Sequence, residues 1–392
     1  MAESRRLLSV NSEGKIRILR IIARMNLGGP AIQISGLMRS LNDEVFEQIL
    51  LTGTCDQDEI DYLDEQNLHL PVTRVPELGR RVRIVDDVVA FMKIRKVMKD
   101  FQPHIVHTHT AKAGLLGRLA SMSTFDNHIR VHTFHGHLLH GYFNKPFTKL
   151  VTLMERVLAF RTQSLVAVGE QVQRQLVAAG IGTSQKFSVI SPGLEISTLP
   201  QRVDAARELG ISSEGFTVVW AGRVVPIKAP HRIVEIAEKI RDTNLPVRFL
   251  VAGDGPLLKD IADQSRKLSL PIHFLGWQSE IERVLAVSDV MILTSENEGT
   301  PVALIQAQMA GIPVISTNVG SAEEVFSDQE SGFLCKYSAS SFAENIRKLL
   351  ENPVLFKSMS QKAVQNSRKF HLSRLVSDHE NLYLRIMNRA NA

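Results

Sequence analysis

The chain has 392 residues, 44% of them hydrophobic and 22% charged, and a formal net charge of +5. This length predicts two hydrophobic cores, and the composition excludes a disulfide scaffold, a collagen-like or low-complexity chain and a coiled coil. The positive excess falls within residues 1–200, which favours an anionic ligand or membrane surface over nucleic acid, because no basic run is interleaved with aromatic residues.

Short apolar runs bounded by turn residues alternate with helical segments, which predicts parallel strands joined by crossover helices. In the first half we predict strands at residues 16–22, 47–53, 104–109, 129–134 and 164–169. In the second half we predict strands at residues 216–222, 248–253, 272–276, 290–295 and 313–317. Helical periodicity predicts helices at residues 85–99, 147–161 and 371–387.

The alternation breaks between Pro192 and Gly215, where two prolines and a glycine stand in SPGLEISTLP. We therefore expect an α/β domain over residues 1–195, a second one over 196–369, and a terminal helix, 370–392, that packs back on the first. The chain has two cysteines and no signal-peptide-like start, so we expect a cytoplasmic protein.

Two loops that follow predicted strands carry residues suited to phosphate groups, and open parallel sheets bind ligands at that edge. Gly28 and Gly29 open a helix expected near Ala31, so backbone can approach a ligand closely, although a strand-to-helix turn needs glycine equally well. Arg223 and Lys228 follow strand 216–222 and can converge on one diphosphate, or can be ordinary surface charges.

A third loop, Ser295 to Pro301, combines a carboxylate with the start of a helix. Gly299 and Thr300 offer backbone donors there, with Pro301 expected in the first helical turn. Glu298 beside a phosphate site needs hydroxyl partners, and sugar hydroxyls are the natural ones. Gln306, two turns further on, should face the same cavity.

A fourth loop is rich in histidine, with four such residues at 132, 135, 137 and 140. Their spacing matches no usual zinc framework and no cysteine joins them, so we expect no metal site. His135 is placed where a neutral imidazole can donate to a substrate hydroxyl.

Two further motifs have ordinary explanations. The acidic run that contains Asp56-Gln57-Asp58 is expected to be a solvated helix face. Gly253-Asp254-Gly255-Pro256 lacks the remainder of a dinucleotide fingerprint and is expected to be a tight strand-to-helix turn.

Taken together, the motifs GGP, HTHTAKAGLLGRLA, HTFHGH, AGDGP, FLGW and ENEGTPVALIQAQMAGIPVIST resemble family 4 of the retaining glycosyltransferases. Within that family the likeness is to the bacterial capsular and exopolysaccharide branch. The resemblance implies the GT-B fold, in which two Rossmann-like domains with parallel sheets face each other across a cleft and the last helix crosses back to the first. The second domain then binds the nucleotide sugar and the first binds the acceptor.

In the second domain the resemblance implies that Arg223 and Lys228 neutralise the donor diphosphate. Glu298 would hold the transferred sugar and position 306 the ribose. The family has glutamate at that position, so Gln306 is a departure that removes a charge-assisted hydrogen bond, with an expected loss of about 1 to 2 kcal/mol in nucleotide binding.

The remaining roles implied by the resemblance concern three loops. His135 would be the catalytic-loop histidine that contacts the donor sugar. Gly28 and Gly29 would lie near the diphosphate and the acceptor, and the backbone around Gly276 and Trp277 would meet the base.

The resemblance, together with the residues that carry it, implies a metal-independent, retaining transferase that needs no cofactor. It would move a hexose from a nucleoside-diphosphate sugar, with UDP-sugar favoured, to a glycan or polyprenyl-diphosphate-linked acceptor in cell-surface polysaccharide synthesis. Cations between residues 74 and 99 would allow peripheral contact with an anionic membrane. The alternatives are a nucleotide-sugar epimerase of the same architecture, a non-catalytic binding protein, which Gln306 would suit, and, least favoured, an oxidoreductase.

Overall fold

A computed structural model describes residues 14–56, 59–79, 81–124, 127–136, 145–243 and 245–391. The chain divides into two compact units. Unit 1 comprises the residues up to Leu194 together with those from Leu372 onward, and unit 2 comprises Glu195–His371. Each unit is built on a parallel sheet, so the predicted class of two α/β domains is confirmed.

Unit 1 contains a seven-stranded sheet in the order β3-β2-β1-β4-β5-β6-β7, with every ladder parallel. The strands are β1 (Ile16–Ile22), β2 (Phe46–Thr52), β3 (Val72–Arg74), β4 (Ile105–His109), β5 (Ile129–Phe134), β6 (Ser164–Ala167) and β7 (Phe187–Val189). The central strands β1 and β4 are buried on both faces, including polar residues such as Arg20 and His107.

The helices of unit 1 come from both ends of the chain. They are α1 (Gly29–Ser40), α2 (Tyr62–Glu65), α3 (Ile84–Phe101), α4 (Ala111–Ser123), α5 (Lys145–Phe160), α6 (Glu170–Ala178) and α15 (Leu372–Asn391), with a 3-10 turn at Ser184–Lys186. Leu375 and Tyr383 of α15 share a core with Ile18 of β1 and Leu37 of α1. The last helix therefore packs on the first unit, as predicted.

Unit 2 has a six-stranded sheet in the order β10-β9-β8-β11-β12-β13. Its strands are β8 (Phe216–Ala221), β9 (Val247–Ala252), β10 (Ile272–Gly276), β11 (Val290–Leu293), β12 (Val314–Thr317) and β13 (Gly332–Cys335). Its helices are α7 (Arg202–Glu208), α8 (His231–Arg241), α9 (Leu258–Lys267), α10 (Ile281–Ala286), α11 (Val302–Met309), α12 (Ala322–Val325), α13 (Ala339–Glu351) and α14 (Pro353–Ser367), with 3-10 turns at Pro226–Lys228 and Arg368–Phe370.

Three strands were not predicted, and all three lie at an edge of a sheet. These are β3, β7 and β13, each three or four residues long. An edge strand is paired on one side and partly exposed, so it needs no continuous apolar run to be stable. Runs of three or four residues are also too short to be recognised as strands from the sequence, even where they are apolar, as in β13.

In each sheet the chain first adds strands towards one edge and then returns to add strands towards the other edge. The strand order therefore reverses between two neighbouring strands, although all strands are parallel. In unit 1 the reversal lies between β1 and β4, and in unit 2 between β8 and β11. In unit 2, Val218 pairs with Val290 and Val219 with Met291, so the two strands end side by side. The loops beyond such neighbours diverge and leave a crevice at the carboxyl edge, where open sheets bind ligands.

Candidate active site

The loops after β8 and β11 bring two predicted residues into direct contact. The ammonium of Lys228 donates to both carboxylate oxygens of Glu298, at 2.5 and 2.7 Å. Ser295 donates from its hydroxyl to the nearer of these oxygens at 2.7 Å. Glu298 is only 9% exposed, so this carboxylate is stabilised by one cation and one hydroxyl instead of by water.

A second set of bonds holds Lys228 in place. The indole of Trp220 donates to the hydroxyl of Thr294 at 3.0 Å, and that hydroxyl lies 3.1 Å from the carbonyl oxygen of Lys228. The backbone N–H of Glu296 donates to the carbonyl of Ile227 at 2.9 Å. The 3-10 turn that carries Lys228 is thus hydrogen-bonded to the segment that carries Glu298. These bonds hold the backbones of the two residues in place relative to each other.

Glycines let neighbouring loops lie against this pair. A Cβ on Gly253 would lie 1.9 Å from the carbonyl oxygen of Gly222, and a Cβ on Gly320 would lie 2.1 Å from that of Glu298. Gly253 has φ +148° and Gly320 has φ +54°, so both use conformations that favour glycine. Gly253 opens the turn between β9 and α9, in agreement with the expected strand-to-helix turn. The sequence pattern did not predict that Gly253, Gly320 or Ser295 belongs to the site.

Helix α11 starts one residue later than expected, with Pro301 as its N-cap residue instead of in the first turn. Thr300 is 8% exposed, and the carbonyl of Gly299 accepts from the backbone N–H of Ser321 at 2.8 Å. Gln306 lies half-buried on the second turn. The amide that is fully buried is Gln308, which donates to backbone carbonyls and so has a structural role.

Arg223, Gly276 and Trp277 lie at the same edge of the sheet of unit 2. Arg223 is exposed and lies two residues after the end of β8. Gly276 ends β10 with φ +65°, and its carbonyl accepts from the backbone N–H of Gly253 at 2.7 Å. The side chain of Gln278 donates to the carbonyl of Trp277 at 3.1 Å, which orders the turn after β10.

In unit 1 the glycine loop starts helix α1 at Gly29, two residues earlier than expected, with Gly28 at the N-cap position. This loop is anchored by the acidic segment that follows β2. The backbone N–H of Leu27 donates to Ile60 at 3.2 Å, and that of Tyr62 donates to Met25 at 2.7 Å.

The expectation that this acidic run is a solvated helix face is wrong for the part that the structure describes. Its only helix is the four-residue α2. Glu59 pairs with Arg24 at 2.5 Å and Asp61 with Arg74 at 2.6 Å, and both carboxylates are largely buried. Asp56 is described, but the other two residues of the DQD triplet lie outside the described residues.

His135 follows β5 and lies next to His109 at the end of β4, with 3.0 Å between Nε2 of His135 and Nδ1 of His109. Burial lowers the pKa of His135 to about 4, so its imidazole is neutral at pH 7, as expected. Burial also lowers the pKa of three further histidines, 107, 109 and 132, well below the usual value.

His137 and His140 of the predicted histidine loop lie outside the described residues. Within the ranges that the structure does describe, no group of three or more His, Cys, Asp or Glu side chains is arranged to hold a metal ion.

Two family models match consecutive parts of the chain. The model described as Glycosyltransferase Family 4 matches residues 27–198, and the model described as Glycosyl transferases group 1 matches residues 201–370. A galactosyltransferase of Escherichia coli, UDP-Gal:alpha-D-GlcNAc-diphosphoundecaprenol alpha-1,3-galactosyltransferase, is 28% identical over 75% of this chain and 78% of its own. The capsular polysaccharide biosynthesis glycosyltransferase CapM of Staphylococcus aureus is 25% identical over 80% of this chain and 84% of its own.

Solved structures agree with this assignment at the level of the fold. Anabaena Alr3699/HepE, solved in complex with UDP and glucose, superposes with a TM-score of 0.80 at 19% identity, over 94% of this chain and 99% of its own. Such neighbours have the GT-B fold. The chain therefore belongs to the glycosyltransferases, with a family 4 domain followed by a group 1 domain.

Proposed function

We propose that this glycosyltransferase moves a hexose from a UDP-sugar to a glycan or polyprenyl-diphosphate-linked acceptor in cell-surface polysaccharide synthesis, with retention and without a metal ion. The observation that carries the proposal is the Lys228–Glu298 pair at the strand reversal of unit 2. The donor and acceptor classes are supported by the name of the E. coli relative, and the choice of UDP also by the ligand of the Anabaena structure.

Both members of this pair retain capacity for a ligand. A lysine ammonium has three N–H groups, and two of those on Lys228 are directed at Glu298. A carboxylate has about four lone-pair positions, and Lys228 and Ser295 use three of those on Glu298. A phosphate oxygen can take the third N–H while a sugar hydroxyl donates to the carboxylate. Donor binding therefore need not break the pair.

In the proposed reaction the bond between the anomeric carbon and the phosphate oxygen breaks, and a bond to the acceptor oxygen forms on the same face of the sugar. The acceptor proton passes to the departing phosphate oxygen. Negative charge grows on the diphosphate as it leaves, so Arg223 and Lys228 act where charge develops. His135, neutral at pH 7, would donate to a sugar hydroxyl, and Gly28 and Gly29 would allow close approach of the acceptor.

Donor binding is tested by thermal shift of the purified protein against UDP, GDP, ADP, NAD and nucleotide sugars, with and without a chelator. At a ligand concentration of about 100 times Kd we expect a stabilisation of about 2.7 kcal/mol, or about 5 °C in Tm. We expect UDP and one UDP-sugar to give this shift and the chelator to leave it unchanged.

Several outcomes would contradict the proposal. A shift with NAD alone, or one abolished by the chelator, argues against a metal-independent transferase. Conversion of the UDP-sugar into a different free nucleotide sugar without any acceptor indicates an epimerase. Binding with no turnover in the presence of lipid-linked acceptor indicates a non-catalytic protein, for which Gln306 would be the first position to restore to glutamate.

Peripheral membrane attachment is the second part of the proposal, and exposed apolar side chains of unit 1 support it. On and before α3, Val82, Ile84 and Val85 are each at least 74% exposed. Exposed cations on the same segment are Arg81, Arg83, Lys93, Lys96 and Lys99. Helix α5 adds a stripe at helical spacing, namely Leu150, Leu153, Val157 and Phe160. Apolar side chains beside cations suit an anionic lipid surface.

We expect the protein to sediment with vesicles that contain anionic phospholipid, and to be released as salt rises. Val88 and Met92 of α3 are 58% and 56% exposed. The variant Val85→Ser/Val88→Ser/Met92→Ser should bind more than tenfold more weakly, because each aliphatic side chain that is buried in the lipid contributes about 1.5 kcal/mol or more. Val354→Ser is the matched control, since Val354 is 80% exposed in unit 2. Equal binding to neutral and anionic vesicles, or unchanged binding of the triple variant, would refute the attachment.

No described helix is long and apolar enough to cross a membrane.

A further inference from the structure

His109 and His135 end neighbouring parallel strands and share one hydrogen bond. The bond joins Nδ1 of His109 to Nε2 of His135 over 3.0 Å. Since burial keeps both rings neutral at pH 7, each carries a single N–H, and one of the two must donate to the other. The direction of this bond decides which nitrogen of His135 can donate to a substrate.

His109 is held rigidly. It is 2% exposed, and its ring stacks on that of His107 with 4.4 Å between centroids. His107 in turn lies 2.7 Å from the hydroxyl of Thr133 and 2.7 Å from that of Tyr383 on α15. The next residue, Thr110, has φ +62° and ψ 159°. A β-branched residue in that region is strained, and such strain persists only where the surroundings fix the backbone.

The second nitrogen of His109 indicates the direction of the bond. Its Nε2 is buried and has no hydrogen-bond partner among the described atoms. If His135 donated, the hydrogen of His109 would have to stand on Nε2, as a buried N–H without an acceptor. If His109 donates from Nδ1, Nε2 is left as a bare lone pair. Orphaned buried N–H groups are the rarer of these two situations in proteins.

We infer that His109 is a positioning residue: it donates its Nδ1–H to Nε2 of His135 and so fixes the hydrogen of His135 on Nδ1. The Nδ1–H group is then the donor that His135 presents to a substrate oxygen. The role in turnover rests on the proposed function, but the tautomer is a property of the ligand-free protein.

The tautomer is tested by ¹⁵N NMR of protein labelled at histidine, with His135→Gln used to assign the ring signals of residue 135. We expect a protonated Nδ1 and an unprotonated Nε2 at pH 7. The opposite assignment, or a mixture that is unchanged by His109→Leu, would overturn the inference whatever the enzyme transfers.

The role in turnover is tested by comparing two replacements of His109. Asparagine places an amide N–H near the position of Nδ1, whereas leucine fills the buried volume without a donor. We expect His109→Leu to lower kcat/KM for the donor about tenfold and His109→Asn to stay within threefold of the wild type. If His109 only fills space, the apolar replacement should be the better tolerated, and that order would contradict the inference.

His128→Leu is the matched control, because His128 is also a buried histidine of unit 1, only 3% exposed, and its Nδ1 lies 3.4 Å from the hydroxyl of Ser121. Its activity should stay within threefold of the wild type even if its Tm falls. An equal loss in the His109→Leu and His128→Leu variants would show that the effect is general destabilisation. Absence of turnover in the wild type, with the expected tautomer observed, would refute the proposed function alone.

Discussion

Lowering the pH from 7 to 5 should unfold unit 1 while unit 2 stays folded. Unit 1 buries histidines that cannot take up a proton in place, whereas His231, His273 and His371 of unit 2 are exposed. Desolvation is the main cause of the lowered pKa values in unit 1. The histidines whose pKa is lowered in this way are His107, His109, His132, His135 and His379.

The sign follows from comparing the folded and unfolded chains. The usual pKa of an unfolded histidine is about 6.5, whereas in the fold His135 titrates at about 4 and His379 at about 3. Below pH 6.5 the unfolded chain therefore binds protons that the folded chain does not, and the free energy of unfolding falls with pH. Each histidine that stays neutral in the fold costs about 2 kcal/mol between pH 7 and 5. His135 and His379 together therefore remove about 4 kcal/mol, and His107, His109 and His132, whose pKa values burial also lowers, act in the same direction, against a typical domain stability of about 5 to 15 kcal/mol.

The two tryptophans, Trp220 and Trp277, both belong to unit 2, so tryptophan fluorescence follows unit 2 alone while far-ultraviolet circular dichroism follows both units. Urea titrations at pH 7, 6 and 5 should separate these two signals. His379→Gln should reduce the pH dependence by about one proton, and the exposed His69→Gln should leave it unchanged. Coincident transitions at every pH would contradict the prediction.

Replacing either cation of the donor site by alanine should lower turnover by about 30- to 1000-fold, because about 2 to 4 kcal/mol of leaving-group stabilisation is lost. The two variants should differ in stability. Arg223 is exposed, so Arg223→Ala should change the free energy of unfolding by no more than about 0.5 kcal/mol. Lys228→Ala leaves the buried Glu298 without its cation and should destabilise unit 2 by about 3 kcal/mol.

A double variant separates folding from catalysis. In Lys228→Ala/Glu298→Gln no unpaired carboxylate remains, so stability should recover while turnover does not. Arg266→Ala, which removes an exposed arginine of the same unit, should match the wild type in both measurements. Turnover within threefold of the wild type in Arg223→Ala or Lys228→Ala would show that the cation does not stabilise the leaving group.

Most strands and helices of the two units could be predicted, because a buried face requires apolar residues at regular spacing in the sequence. Strand β1 is apolar at five of its seven residues and lies in the interior of its sheet. Strand β13 lies at an edge and has only four residues, and this apolar run is too short to be told from a loop. The start of α1 was misplaced by two residues, since Gly28 and Gly29 allow several turn geometries.

The sequence predicts which residues of each loop belong to the site, but it does not predict the contacts between residues of different loops. Arg223, Lys228 and Glu298 follow strands, and their charges signal a ligand, but nothing in their spacing shows that Lys228 and Glu298 touch each other. That contact depends on β8 pairing with β11, across about 70 residues of chain. The contact between His109 and His135 depends on strand pairing in the same way.

The return of α15 to unit 1 constrains the order in which the protein can mature on the ribosome. The backbone N–H of Leu372 donates to the carbonyl of Leu194, and Arg374 donates to the carbonyls of Ser191 and Pro192, so the two crossings of the chain lie side by side. Translation completes unit 2 as one uninterrupted segment before the last helix of unit 1 exists. Until then Ile18 and Leu37 lack the partners that α15 supplies. A nascent chain that stops at residue 371 would leave the ribosome with all of unit 2, but the apolar surface of unit 1 that α15 covers would be exposed to water.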